Sequence, residues 1–397
     1  ITTTGLPLNT LSQTGTLPGG VTFTDNGNNT ATLAGTPDAG SGGSYALTLT
    51  AANTILPDAT QAFTLVVHQA PLFTSPASGD FYAGMFNGLT INTSGFPYPA
   101  ITTSSTLPAG LTLTDNHDGT ATLGGTPDPG TGGDYTLYFA AANGTSPDAA
   151  QTFNLTIYES PSFISPSSDF TSVGTPTTIS IETYGYPLNV ISMGGTLPTG
   201  MTFTDNGDNT ATLGGTPAPG TGGQYALTFT ALNTLGSPAV QYFTLTVFES
   251  PAFTNADHTT FIIGASSSFM FTTVGYVRPY YIALNSSVPP LPASLTFTLL
   301  QGDSAILTGT PLPGDEGVYT LSLESSNETL PNATQTFTLT IGTPPAITSA
   351  ASTTFTVGSA GTFDVTTTGF PINAITRTGT LPASLSFTDN GDNTATL

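Results

Sequence analysis

The chain has 397 residues, a formal net charge of −22 and no cysteine, and charged residues make up only 7 % of it. Two arginines stand against 24 carboxylates, so the phosphates of a nucleic acid would be repelled and this class of partner is excluded. Without cysteine, neither disulfides nor thiol chemistry can operate. No run of about 18 apolar residues is present, so we expect no membrane-spanning segment in this window.

Both ends of the chain fall within recognisable patterns. Ile1 already lies in a strand pattern with no initiator methionine or signal peptide, and Leu397 falls partway through a repeat. We therefore expect a window from a longer polypeptide whose export signal and anchor lie outside it.

The first clearly punctuated element is a β-hairpin within residues 16–37. Apolar side chains alternate with threonine over residues 21–24 and again over 30–33, which is the period of strands with one apolar face. Residues 25–29 read Asp-Asn-Gly-Asn-Asn and tolerate positive φ, as a tight hairpin connection requires. Prolines at positions 18 and 37 flank the hairpin and limit its strands, because proline cannot donate a hydrogen bond to the sheet.

This hairpin recurs along the whole chain. It returns at residues 106–127 and 196–217, in a divergent form at 291–311 and truncated at 380–397. The leucine of its Leu-Pro pair recurs at spacings of 90, 90, 94 and 90 residues, at Leu17, Leu107, Leu197, Leu291 and Leu381. A fixed period of this size predicts an array of similar domains rather than one large fold.

The period predicts the domain boundaries. We expect a partial unit at 1–70, complete units at 71–160, 161–250 and 251–344, and a partial unit at 345–397. The 251–344 unit is the most divergent, because it has four extra residues around Arg278 to Pro290 and lacks the Asp-Asn-Gly turn at 299–303. The junctions leave little slack, so we expect the domains to lie end to end as a semi-rigid rod.

Each complete unit has the strand content of a sandwich. Roughly seven short strands with turn signals every 8–12 residues favour two packed sheets, whereas glycine, proline and threonine in every window disfavour helix. A tyrosine opens the penultimate strand, and such a hydroxyl often bonds to nearby backbone as a tyrosine corner. These tyrosines are Tyr45, Tyr135, Tyr225 and Tyr319. The predicted fold class is all-β, a tandem array of sandwich domains of about 90 residues.

The combined motif resembles a known family. Leu-Pro-x-Gly-[Leu/Val/Met]-Thr-[Phe/Leu]-Thr-Asp-Asn, then Thr-Ala-Thr-Leu-x-Gly-Thr-Pro and Gly-x-Tyr-x-Leu, is similar to the immunoglobulin-like repeat of large bacterial surface proteins. That repeat is similar in turn to cadherin-like modules, and the resemblance covers all the units. It implies Ig-like sandwiches in an exported adhesin, stalk or fibre protein, and it brings no catalytic residues.

The histidines are the candidates for general-base chemistry. His68, His117 and His258 do not recur at the repeat period, and none has a serine or carboxylate at a recurrent spacing, as a nucleophilic triad would need. We interpret them as solvated surface residues and predict that the chain is not an enzyme and uses no cofactor.

Calcium is the one metal for which the sequence offers ligands. Hard cations bind several carboxylate and carbonyl oxygens, and the Asp-Asn-Gly-Asp turns supply such groups. If each closing strand leads to the pole that carries the next turn, Glu159 would approach Asp205 and Asp208. The alternative is that Asn-Gly only makes the hairpin turn, and the spacing does not match an EF-hand loop. We favour the turn and keep Glu159, Asp205 and Asp208 as weak calcium candidates.

Recurrent glutamines leave a second alternative open. They could form ester bonds with threonine, although we favour outward-facing polar residues on strands. They are Gln61, Gln151, Gln241 and Gln335.

The function favoured by these observations is a structural segment of an extracellular or cell-surface protein, acting as a stalk, fibre or filament building block. Self-association into a fibre or layer is then one class of partner. The alternative is an adhesin module whose pole loops bind a glycan or a cell-surface receptor through exposed aromatic side chains. The candidates for that role are Tyr98, Tyr186, Tyr276 and Tyr280.

Overall fold

The computed structural model describes residues 1–278, 281–300 and 303–397. Every regular element in these residues is a β-strand, as expected from their many glycines, prolines and threonines. The described part of the chain accordingly holds no helix with the length and apolar character needed to cross a membrane.

The strands fall into five successive units, named here by the strands they contain. The first unit has β1 (Thr10–Thr14), β2 (Val21–Asp25), β3 (Ala31–Gly35), β4 (Gly43–Ala52) and β5 (Ala59–Val67). The second has β6 (Gln69–Phe73), β7 (Ser78–Tyr82), β8 (Asn87–Phe96), β9 (Ala100–Thr103), β10 (Leu111–Asp115), β11 (Thr120–Gly125), β12 (Gly133–Ala142) and most of β13 (Ala149–Phe163).

The remaining units repeat this order of strands. The third begins with the end of β13 and has β14 (Ser168–Ser172), β15 (Thr177–Tyr186), β16 (Val190–Gly194), β17 (Met201–Asp205), β18 (Thr210–Gly215), β19 (Gly223–Leu232) and most of β20 (Ala239–Phe253). The fourth begins with the end of β20 and has β21 (His258–Ile262), β22 (Ser267–Tyr276), β23 (Tyr281–Val288), β24 (Leu295–Leu299), β25 (Ser304–Gly309), β26 (Gly317–Ser326) and most of β27 (Ala333–Ile347). The fifth has β28 (Asp364–Phe370), β29 (Thr388–Asp389) and β30 (Thr394–Thr396).

Each complete unit consists of two sheets. In the second unit β10, β11, β8 and β6 form one sheet, while β9, β12 and β13 form the other, to which β7 adds in parallel with β13. The third and fourth units repeat this pairing with their own strands. The predicted class, an all-β tandem array of Ig-like sandwiches, is confirmed.

Alternate side chains of the two sheets meet in a buried core. In the second unit Ile91 and Leu123 come from one sheet and Phe139 and Phe153 from the other, and none is more than 2 % exposed. Burying such a side chain stabilises the fold by about 1.5–3 kcal/mol. The third and fourth units each have a separate core of aliphatic and aromatic side chains, so each sandwich has its own source of stability.

The central hairpin forms as the sequence predicts. Strands β2 and β3 pair antiparallel with Val21 opposite Gly35. Gly27 and Asn29 in the turn have φ of 70° and 62°, the left-handed region that these residues tolerate. In the second unit His117 adopts φ of 61° at the position of Gly27, so this histidine is a turn residue.

The tyrosine corner is also confirmed. The Tyr135 hydroxyl donates to the carbonyl of Thr131 at 2.7 Å, and the ring packs against the core of the second unit. Burial, followed by the negative charge of Glu159, raises the pKa of Tyr135. The same hydroxyl-to-carbonyl bond four residues back recurs at 2.7, 2.8 and 2.9 Å, at Tyr45, Tyr225 and Tyr319.

Three strands of 15 residues run from one unit into the next: β13, β20 and β27. The first part of β13 pairs with β12, and its last part pairs with β15 of the following unit. The register shifts between Glu159 and Ser162, which leaves Pro161 in an irregular segment that tolerates a residue without an N–H. The predicted boundaries Pro71, Pro161, Pro251 and Pro345 therefore lie inside strands, and the domain limits themselves stay a prediction.

Two substitutions of Tyr135 separate its hydrogen bond from its packing. Tyr135→Phe removes one hydroxyl bond and should lower the free energy of unfolding by about 1 kcal/mol. Tyr135→Ala also leaves a cavity and should lower it by about 3–5 kcal/mol. Hydrogen exchange of the β12 and β13 amides measures both, and equal small effects would contradict the packing of this ring.

Candidate functional site

The junction between the second and third units is built around Glu159. Its carboxylate accepts the backbone N–H of Gly130 at 2.7 Å through Oε1 and that of Gly132 at 2.9 Å through Oε2. Glu159 is only 6 % exposed, so a charge is buried here and both of its oxygens are satisfied. The carboxylate ties the end of β13 to the loop that precedes β12 in the second unit.

The backbone of the same residue is held from the other side. The Glu159 carbonyl accepts Nδ2 of Asn233 at 2.9 Å, and Nδ2 also donates to the carbonyl of Pro187 at 3.1 Å. Oδ1 of Asn233 accepts the N–H of Leu235 at 3.1 Å, which fixes the amide in its own loop. Asn233 belongs to the third unit, so Glu159 is bonded to the unit before it and to the unit after it.

Aromatic side chains of the third unit complete the junction. The Tyr186 hydroxyl donates to the Asp134 carboxylate of the second unit, and this bond lowers the pKa of Asp134. Thr156 donates to the other oxygen of Asp134 at 2.7 Å. Tyr186 lies opposite Glu159 in the β13–β15 pairing, and the ring of Tyr184 lies against Gly130. We call the set Glu159, Gly130, Gly132, Asn233 and Tyr186 the junction site.

Two other boundaries have the same arrangement. Between the third and fourth units the Glu249 carboxylate accepts the N–H of Gly220 at 2.6 Å and of Gly222 at 2.9 Å. The Glu249 carbonyl accepts Nδ2 of Asn327 at 2.8 Å. Between the first and second units the neutral Gln69 takes this position. Its Oε1 accepts the N–H of Gly42 at 3.0 Å, and its carbonyl accepts a bond from Asn143 at 2.8 Å.

The boundary between the fourth and fifth units has its carboxylate on the other side. Glu316 stands where the earlier loops have Gly132 and Gly222, and its Oε2 accepts the N–H of Gly314 at 2.8 Å. Thr343 takes the place of Glu159 and donates to Oε1 of Glu316 at 3.4 Å. The loop amide is therefore still bonded to a carboxylate, although the carboxylate comes from the loop itself.

The three calcium candidates do not form a common site. Asp205 accepts the N–H of Ile191 and of Gly207, each at 3.1 Å, and Asp208 accepts the hydroxyl of Thr210 at 2.6 Å. These bonds stabilise the hairpin turn, while Glu159 is bonded to backbone amides instead. In residues 1–278, 281–300 and 303–397, no three His, Cys, Asp or Glu side chains are placed to hold a metal ion. Whether calcium binds stays a prediction.

The three candidate histidines lie at the surface. Exposed His117 and His258 are each next to a carboxylate, at 3.3 and 2.8 Å, and exposed His68 is 3.5 Å from the hydroxyl of Thr145. In the described ranges none of the three has both a hydroxyl and a carboxylate partner. Absence of catalysis stays a prediction.

The expectation of outward-facing glutamines is wrong for three of the four. Gln151 donates to the carbonyl of Ser75 at 3.2 Å, and Gln241 donates to that of Ser165 at 2.8 Å. Gln335 accepts Nδ2 of Asn255 at 3.0 Å. These half-buried side chains tie the closing strand to the segment that follows the opening strand, because both lie at the same edge of the sandwich. Gln61 is exposed, as expected.

The tyrosines proposed for ligand binding are dispersed. Tyr98 is 65 % exposed, whereas Tyr186 and Tyr276 lie at junctions, paired with Glu159 and Glu249. Tyr280 lies outside the described residues.

The asparagines of the junctions are functional residues that the sequence reading missed. Asn143 and Asn327 each begin an Asn-x-Ser/Thr motif, but such motifs occur by chance in a chain rich in these residues. The signal that could have found them is their period, because they recur at spacings of 90, 90 and 94 residues, at Asn53, Asn143, Asn233 and Asn327.

Comparison with known proteins gives only low structural likenesses. No protein-family model and no curated protein matches the sequence. A three-Ig-domain fragment of titin is 18 % identical, with a TM-score of 0.37 over 69 % of this chain and 99 % of the fragment. The insect immune protein hemolin is 14 % identical, with a TM-score of 0.32 over 86 % of this chain and 93 % of hemolin. An endo-fucoidan hydrolase of glycoside hydrolase family 107 is 18 % identical, with a TM-score of 0.23 over 70 % of this chain and 44 % of the hydrolase.

These likenesses are too low to carry an argument about function. What stands is a tandem array of Ig-like sandwiches, for which the strand pairing described above is the basis. The bacterial surface family and its likeness to cadherins stay predictions.

Loss of the Glu159 carboxylate should loosen the junction site. In Glu159→Ala the N–H groups of Gly130 and Gly132 lose charged acceptors, and each such bond contributes about 1.5–3 kcal/mol. We expect exchange of these two amides to rise by at least about tenfold, measured by hydrogen–deuterium exchange of the full chain. Glu182→Ala is the control, because Glu182 is exposed on β15, and it should leave both amides protected. Unchanged protection in Glu159→Ala would contradict the site.

The calcium prediction is tested by thermal unfolding of the full chain in millimolar calcium and in chelator. A cation bound by the folded chain raises the melting temperature by mass action. Because Asp205 and Asp208 already bond to their own turn, we expect the curves to coincide. A calcium-dependent rise that Asp208→Asn abolishes would place a metal at this turn.

Proposed function

We propose that this chain is a structural segment of a secreted, repetitive surface protein and acts as a spacer: a stalk, fibre or filament building block. Its sandwiches hold whatever lies beyond them at a fixed distance, and the joints between them resist bending. The observation that carries the proposal is the junction site, in which one residue is bonded to both neighbouring units.

Continuity of the backbone supports this role. Neighbouring domains in one chain usually move relative to one another unless their interface is large and apolar. Here β13 passes from one sandwich into the next without a loop and is paired on both sides of the boundary. Bending at Glu159 would break the bonds to Gly130, Gly132 and Asn233 together. A joint of this kind is suited to transmitting orientation along an array.

The surface chemistry supports an exposed position in which copies or neighbouring chains come close. The net charge of −22 without any lysine keeps such chains soluble through mutual repulsion. Absence of cysteine makes the sandwiches independent of the redox state of their surroundings. We propose an extracellular position, in which lateral association into a fibre or layer would have to overcome this repulsion.

Binding of a glycan or receptor by pole loops is the second candidate. It would use exposed tyrosines, but two of the three described ones contribute to junctions. Of these three candidates, Tyr98 alone is mostly exposed, at 65 %. We therefore place the spacer role first.

Small-angle X-ray scattering of the full chain tests the spacer role. Sandwiches of about 40 Å in a row make a rod of roughly 160–180 Å, whose radius of gyration is about 50 Å. A compact globule of this length would have a radius of gyration of about 21 Å. A value near 50 Å, with rod-like scattering at intermediate angles, is expected. A value below about 30 Å would contradict a spacer.

A further inference from the structure

The glycine of each junction loop leaves no room for a side chain. A Cβ on Gly132 would lie 2.8 Å from Cβ of Glu159 and 2.7 Å from Cβ of Tyr186. At the next junction a Cβ on Gly222 would lie 2.6 Å from Cβ of Glu249 and 2.8 Å from Cβ of Tyr276. These neighbours are Cβ atoms, the first atoms of their side chains. They cannot move away unless the backbone of their own strands shifts.

The first junction obeys the same constraint with an uncharged residue. A Cβ on Gly42 would lie 2.5 Å from Cβ of Gln69 and 3.1 Å from Cβ of Phe96. At three boundaries, therefore, a long polar side chain on the strand faces a glycine on the loop. The strand side chain fills the space that the glycine leaves and bonds to the N–H of that glycine.

The fourth boundary exchanges the two roles. Here the loop residue is Glu316 and the strand residue is the short Thr343. The Glu316 carboxylate bonds to the N–H of Gly314, the counterpart of Gly130, and accepts the hydroxyl of Thr343. One carboxylate is thus kept at the boundary, but it reaches the loop amide from the opposite side.

From these four boundaries we infer a pairing rule for neighbouring units. A loop with glycine fits a following unit that enters with glutamate or glutamine, and a loop with glutamate fits a following unit that enters with threonine. The surface that each unit presents to its successor is therefore specific for one class of successor. The fourth unit, whose junction loop carries Glu316, does not fit before a unit that has glutamate at the Glu159 position.

Two physical effects enforce the rule. If both positions carried glutamate, two long side chains would occupy a space that holds one long side chain at each boundary, and overpacking of this kind shifts the backbone. Two carboxylates would also compete for one pair of amides and repel each other in a site that is nearly closed to water. If both positions were short, the amides of Gly130 and Gly132 would lose their acceptor. The inference goes beyond the spacer role, because it concerns which units can be neighbours.

A double-mutant cycle in the full chain tests the rule. Gly132→Glu and Glu159→Thr are made separately and together, so that the double variant has the residue types of the fourth boundary. We expect each single variant to raise amide exchange over residues 130–132 by at least about tenfold. The double variant keeps the Cβ contact of residue 132 with Tyr186 but regains one carboxylate acceptor, so amide exchange should fall at least about threefold below that of Gly132→Glu.

Spin labels measure the joint itself. The chain has no cysteine, so cysteines placed at exposed Thr112 and Thr202 give one pair of labels on the second and third units. Double electron–electron resonance should show a narrow distance distribution in the unsubstituted chain, a broad one in each single variant and, in the double variant, one narrower than that of Gly132→Glu. Gly132→Glu combined with Glu249→Thr is the matched control, and it should stay broad because the second substitution lies at another junction.

The reverse exchange protects the test against a variant that fails to fold. Glu316→Gly alone should unprotect the amide of Gly314, and adding Thr343→Glu should protect it again. Rescue in both directions supports the pairing rule. Additive effects in both cycles, or rescue by the Glu249→Thr control, would overturn it. Either result would leave the scattering test of the spacer role unaffected, because that test uses only the unsubstituted chain.

Discussion

The joint between the second and third units depends on a buried acceptor that is satisfied from two sides. A carboxylate placed out of water without partners is strongly unfavourable, so the bonds of Glu159 to the amides of Gly130 and Gly132 must persist for the joint to stay closed. The Asn233 bond to the carbonyl of the same residue adds the following unit to this constraint. Glu159 therefore acts with the Tyr186–Asp134 bond and the β13–β15 pairing to set the orientation, and the linker has no free length with which to relax it.

Most of the fold could be predicted from the sequence because it depends on local patterns. Alternation of apolar residues with threonine marks the hairpin strands, and Asp-Asn-Gly marks the turn, where Gly27 and Asn29 adopt positive φ. The tyrosine corner was predictable for the same reason, since its bond spans only four residues. The 90-residue period then extends each local inference to the whole chain.

The site was less predictable because it depends on contacts between units. Glu159 drew attention as a carboxylate, but an acidic residue near a turn suggests a cation, and nothing local shows that backbone amides satisfy it. Asn233 is 74 residues from its acceptor, so only the repeat period could have singled it out. Gln151 was expected to face outward because it is polar, but its spacing from buried Phe153 and Leu155 places it on the inner face of β13, where it donates to the carbonyl of Ser75.

Residual dipolar couplings of the second and third units test the fixed joint most directly. Couplings from the amides of β8 and β11 give the alignment tensor of one unit, and those from β15 and β18 give the tensor of the next. If Glu159 holds the two units together, the tensors will agree in magnitude, rhombicity and orientation when they are expressed in one frame. A markedly smaller tensor for one unit would show that the two reorient independently, as domains with small interfaces do, and would contradict a stiff spacer.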